Sequence, residues 1–156
     1  MESTITQNHK NVAAIIHAST FSKYLIPFGN FLLPLVLWMS NKKASPFVEH
    51  HGKQAINFQV SILLYSIFLG ILAIPLAFFT TWDFIGLSDL HELNTHVINF
   101  SFRNFFNLGE HLVFWSVFGI LGLSLFLLNV ICTIMAAMRA HEGMEYRYPL
   151  TISFLK

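Results

Sequence analysis

The chain has 156 residues, 54% of them hydrophobic and only 11% charged, against about 25% charged in an ordinary soluble domain. A chain this short leaves much of its surface in solvent, so the composition excludes a water-soluble single domain and makes the bilayer the solvent for much of it. The net charge of +1 excludes no class of partner by itself. We expect one all-α domain, 1–156, an integral membrane helical bundle.

The first segment, MESTITQNHKNVAAII, lacks a basic start followed by a compact apolar run and a small-residue cleavage site, so insertion of the chain whole is expected. The first helical region, 9–41, is apolar enough for one span but carries Lys23 near its middle. A lysine at the centre of a spanning helix costs about 2.5–3.5 kcal/mol on insertion scales. Pro27 and Gly29 of IPFGN predict a break over Pro27 to Asn30, and Pro34 removes a further backbone donor. Two arrangements fit: a single kinked span from about Tyr24 to Ser40 behind an interfacial helix, or a hairpin with two short arms. Three to four membrane helices are therefore expected in all.

The second element, 45–80, starts at Ser45-Pro46, a serine N-cap with proline at the first helical position. Glu49 meets the positive end of the helix dipole, and Glu49 and Lys53 stand four residues apart in the favourable order. The helix is expected to run on into an uncharged stretch, Ile56 to Thr80, longer than the roughly 20 residues that cross a bilayer. His50, Gln54, Asn57, Ser61 and Tyr65 follow helical spacing and form one polar stripe. At that depth a polar seam faces protein or water, not lipid.

The connection, 81–111, holds Asp83, Asp89, Glu92 and Glu110 against one basic residue, Arg103. Val97 to Phe106 suits either a short strand or a helix on the membrane surface. His91 and His96 imitate a zinc-protease motif, but one residue too many turns the second histidine away by about 140°. Asn99-Phe100-Ser101 is a glycosylation sequon of the kind that arises by chance. Cys132 is the lone cysteine, which excludes an intrachain disulfide and a cysteine-rich metal centre. No catalytic site, metal or other cofactor is expected, and no nucleic acid partner.

The last span, 112–140, is uncharged from Leu112 to Met138. Gly119, Gly122, Asn129, Thr133, Ala136 and Ala140 fall near one stripe, where small residues let helices approach and Asn129 can bond across the contact. Lys42, Lys43 and Lys53 lie between the first region and the second uncharged span, and Arg139, Arg147 and Lys156 sit in or beside the tail, 141–156. The positive-inside rule then places 40–55 and the tail inside a bacterial inner membrane and 81–111 outside.

Together IPFGN, PLVLW, SPFVEHHGKQAINFQ and YRYPLTI resemble the bacterial membrane proteins related to the twenty-kilodalton Tic subunit of the chloroplast inner-envelope translocon. The resemblance covers about Ile15 to Leu64 and Ile131 to Ile152. It implies a small helical inner-membrane protein with both ends on one side and a role near protein transport; the long connection departs from that family's pattern. The expected function is thus a non-enzymatic subunit that contacts lipid and assembles with its own copies or other membrane proteins. The alternative is a small ion or solute channel lined by the polar stripes of the second and third spans.

Overall fold

A computed structural model describes residues 5–84 and 102–155. Among them the elements are α1 (Gln7–Ala18), a 3-10 helix (Ser19–Tyr24), α2 (Gly29–Asn41), α3 (Pro46–Phe84) and α4 (Phe102–Glu142). The regular structure of the described residues is all helical. The chain divides into two compact units, one of Met1–Leu64 with Phe126–Lys156 and the other of Tyr65–Leu125.

Local chemistry accounts for the helix ends. The Thr6 hydroxyl accepts from the His9 amide and the His9 ring accepts from the Thr6 amide, a capping box that opens α1. The α1 axis then tightens into the 3-10 turn, and the amides of Leu25 and Ile26 both donate to the Ser22 carbonyl. Phe28 takes a left-handed conformation (φ 58°) and α2 begins at Gly29. A side chain at Gly29 would collide with the Ser22 backbone, so the reversal needs glycine there. Pro34 lies buried inside α2 rather than at its end.

The Ser45 hydroxyl accepts from the Phe47 amide, so α3 starts where the Ser-Pro pair predicts. Glu49 and Lys53 form the expected ion pair at 2.6 Å. At the other end of the unit, α4 stops in a Schellman motif. Gly143 (φ 87°) donates to the Ala140 carbonyl, and the Met144 amide reaches back to the Arg139 carbonyl.

In the first unit α3 is the hub. Ile16, Val48 and Ala55 pack with Leu37 and Trp38, joining α1, α2 and α3. Ala13, Phe47 and Ala140 join α1, α3 and α4. Phe58, Cys132, Ala136 and Tyr148 join α3, α4 and the tail. Between His51 and Ser61 the helix is buried almost all round, not on one stripe alone.

The second unit carries the opposite pattern. Ile67, Phe68, Ile71, Ile74 and Phe78 of α3 are exposed, as are Leu112, Val113, Trp115, Ile120 and Leu123 of α4. In the most apolar window of each long helix only 6% (α3) and 17% (α4) of residues are buried by the protein. A soluble core helix would show the reverse, so this surface is covered by lipid. Both helices are long and apolar enough to cross a bilayer. The 13 residues of α2 extend only about 20 Å, short of the ~30 Å hydrocarbon core, and α1 is shorter still.

Candidate functional site: a polar cluster closed by the C-terminal tail

The predicted stripe on α3 divides among three tasks. Asn57, nearly fully buried, holds the tail: its side-chain amide donates to the Leu155 carbonyl at 3.0 Å, and the Leu155 amide donates to its Oδ1 at 2.9 Å. One turn later the Ser61 hydroxyl donates to the Asn57 carbonyl at 2.8 Å and accepts from the Ile152 amide at 2.9 Å. Two side chains of a helix thus supply the partners that a neighbouring strand would give an extended tail. His50 and Gln54 line an open cleft beside the tail. Tyr65 is half-buried and belongs to the second unit.

On α4, Asn129 and Thr133 are buried, with Ala136 and Ala140 continuing the same face. Asn129 donates to Gln59 Oε1 at 3.4 Å, and Asn30 of α2 donates to the same oxygen at 3.2 Å. Gln59 therefore ties three helices together at one acceptor. Gly119 and Gly122 are placed differently: no described atom lies within 4 Å of where either Cβ would stand. Among the described residues these two glycines mark no close helix contact.

A second set of buried side chains was not foreseen. His17 Nε2 and His51 Nδ1 are 2.8 Å apart, and the Tyr148 hydroxyl is 2.8 Å from His17 Nδ1. A neutral imidazole has one donor and one acceptor nitrogen, so His17 satisfies both neighbours at once. Tyr148 stacks on Phe58, with centroids 4.1 Å apart and planes 14° from parallel, and the Thr133 hydroxyl lies beside its own. Burial pushes the Tyr148 phenol well above its ordinary range, so it stays protonated. His17, in α1 and outside the two long apolar helices, is held well below the usual histidine value. Burial is the main cause, followed by repulsion from His51 and then His50.

Stability should accordingly fall on acidification. The unfolded chain takes up a proton on His17 at an ordinary pKa near 6.5, while the folded chain resists it until much lower pH. In that window the unfolded state binds more protons and gains on the folded one, by up to about 1.4 kcal/mol per pH unit for this one group. Thermal melts in mild detergent should show a midpoint that is level above neutrality and drops below about pH 6.5. His17→Phe should flatten that slope.

The bonds of Asn57 give a second expectation. Asn57→Ala removes both holds on Leu155, a loss of about 1–3 kcal/mol in tail docking. Limited proteolysis should then cut within 150–155 faster than in the parent protein, with cuts elsewhere unchanged.

The signals for this network were present in the sequence but weak. His17 ends the run VAAIIHA, Gln59 sits in an apolar stretch two residues past Asn57, and Tyr148 lies in YRYP, where it reads as a surface aromatic. His91, His96 and the sequon at Asn99 lie outside the described residues. The segment from Phe102 to Phe106, which suits a strand or a surface helix by pattern, is the first part of α4.

A small helical protein with exposed apolar spans and its polar side chains turned onto one another is a membrane protein. This chain belongs to the magnetosome magnetite crystal formation protein family (MamF/MmsF), whose model matches residues 8–155. No curated protein and no solved structure matches it. The family corrects the resemblance to the Tic-related proteins, and with it goes the support for a role in protein transport.

The segment that carries the resemblance has structural tasks in this fold. In SPFVEHHGKQAINF, Ser45 caps α3, His51 bonds to His17, Gly52 lies under Trp38 and Asn57 holds the tail. These are packing requirements of a small helical membrane fold, and packing does not identify function.

Proposed function

We propose that this protein acts in the magnetosome membrane, in the formation of magnetite crystals, as a non-enzymatic subunit that assembles with its own copies or with other membrane proteins. The match of the magnetosome family over 8–155 carries this reading, because it takes in the packed unit and both long helices together. Assembly is supported by the open surroundings of Gly119 and Gly122, which leave room for a helix of another chain. In this reading 40–55 and the tail face the cytoplasm and 81–111 face the opposite side. The charge distribution supports that, and so does the bonding of the tail to the early part of α3.

A path for ions or solutes along the polar stripes is the weaker reading. Asn57 and Ser61 bond to the tail, and Asn129 bonds to Gln59 Oε1, so these groups are engaged within the protein.

The direct test deletes the gene in a magnetite-forming bacterium and restores it on a plasmid. Electron microscopy should show crystals of altered size or number in the deletion strain, with recovery by the parent gene. Crystals indistinguishable from the parent strain would count against the reading.

A further inference from the structure

A cleft of about 570 Å³ opens between the first turns of α3 and the tail, wholly within the first unit. Lys53, Arg147 and His50 line it, together with the donors Gln54, Thr151 and Ser153. The carboxylate in the lining, Glu49, is already bonded to Lys53 at 2.6 Å. Arg147 is exposed and forms no ion pair or hydrogen bond among the described residues. His50 Nε2 and Thr151 Oγ1 are both buried without a hydrogen-bond partner among the described residues.

Each feature constrains the ligand. Lys53 neutralises Glu49, which leaves Arg147 as the unpaired charge of the lining and disfavours a metal ion, which needs free oxygen or nitrogen ligands. Two unpartnered polar atoms, one on α3 and one on the tail, are unfavourable as they stand, and a ligand with several acceptor oxygens relieves them. Donors come from both sides, α3 and the tail, so a tetrahedral oxyanion fits better than a planar carboxylate. Arginine is the side chain that grips such a group with two parallel bonds.

We infer that this cleft binds a phosphate group, either free phosphate or the headgroup of an anionic lipid, with Arg147 as its anchor and Lys53, Thr151 and Ser153 as further donors. The volume exceeds that of bare phosphate and leaves room for a glycerol moiety or for water. The tail that closes the polar cluster forms one wall, so occupancy fastens the tail to α3. The inference does not depend on the role in crystal formation.

The test uses the full chain in mild non-ionic detergent, titrated with inorganic phosphate at constant ionic strength. Saturable binding and a rise in melting midpoint are expected. Arg147→Ala should weaken binding about tenfold or more, with Arg147→Lys recovering only part. Thr151→Val should also weaken binding but leave the phosphate-free midpoint level or raised, because it removes an unpartnered hydroxyl at constant shape. Lys43→Ala, an equal loss of charge outside the cleft, should change nothing.

A second arm takes protein from vesicles of equal phosphatidylglycerol and phosphatidylcholine and weighs it by native mass spectrometry. Phosphatidylglycerol kept by the parent and lost by Arg147→Ala assigns the lipid source; saturable phosphate binding without lipid retention assigns free phosphate. Absence of both overturns the inference, as does equal weakening by Lys43→Ala.

Discussion

His17→Leu should destabilise the folded protein by about 2–6 kcal/mol, because it strands two buried polar groups at about 1–3 kcal/mol each. Leucine fills much of the space of the imidazole, so the loss is polar rather than volumetric. The Tyr148 hydroxyl and His51 Nδ1 each lose a partner at 2.8 Å, and neither is exposed to water. Melting in mild detergent followed by circular dichroism reads the loss. Adding Tyr148→Phe should recover part of it, since the phenol that lacks a partner is then gone. A double variant that loses the full sum of the two single losses would show that the hydrogen bond is not the coupling.

Gly52→Ala is the other severe case. Gly52 is buried on α3 beneath the Trp38 indole, and a methyl group there would overlap the ring. Overpacking of this kind costs about 1–3 kcal/mol, more where neighbours cannot yield. Trp38 is confined by the cluster of Ile16, Val48, Ala55 and Leu37, so it has little room to retreat. The substitution should separate α2 from α3, lowering the melting midpoint and quickening proteolysis in the loop at Lys42 and Lys43. Gly52→Ala with Trp38→Leu should be milder than Gly52→Ala alone. An unchanged midpoint in the single variant would contradict the packing described here.

How much of this was legible beforehand depends on the kind of signal. The spans were legible because transfer into lipid acts on composition over some twenty residues, which a sequence displays directly. The start of α3 was equally plain, since a serine cap, a proline and an i, i+4 ion pair are local chemistry. The stripe through Asn57 and Ser61 is legible as polar side chains at helical spacing, yet its partner, a tail almost a hundred residues later, is not. Nothing local in ISFL announces that its backbone needs a helix side chain.

The histidine network was hidden for the same reason. His17 and His51 are 34 residues apart and His17 and Tyr148 are 131 apart, so only the packed fold brings them together. Pro34 taught a different lesson: its missing donor suggested a break, but α2 runs through it. Of the small-residue stripe of α4, Asn129, Thr133, Ala136 and Ala140 are buried. At Gly119 and Gly122 the pattern is the same, but among the described residues no neighbour fills the space.

In the membrane the apolar faces of the second unit should meet acyl chains while the polar seam of the first is shielded by protein. Single cysteines placed at Ile71, Leu121 and Ser61 in a Cys132→Ala background, labelled with a fluorophore and reconstituted in vesicles, test this directly. A nitroxide carried on the lipid tails should quench the labels at Ile71 and Leu121 strongly and the label at Ser61 weakly. Strong quenching at Ser61, or none at Ile71 and Leu121, would contradict it.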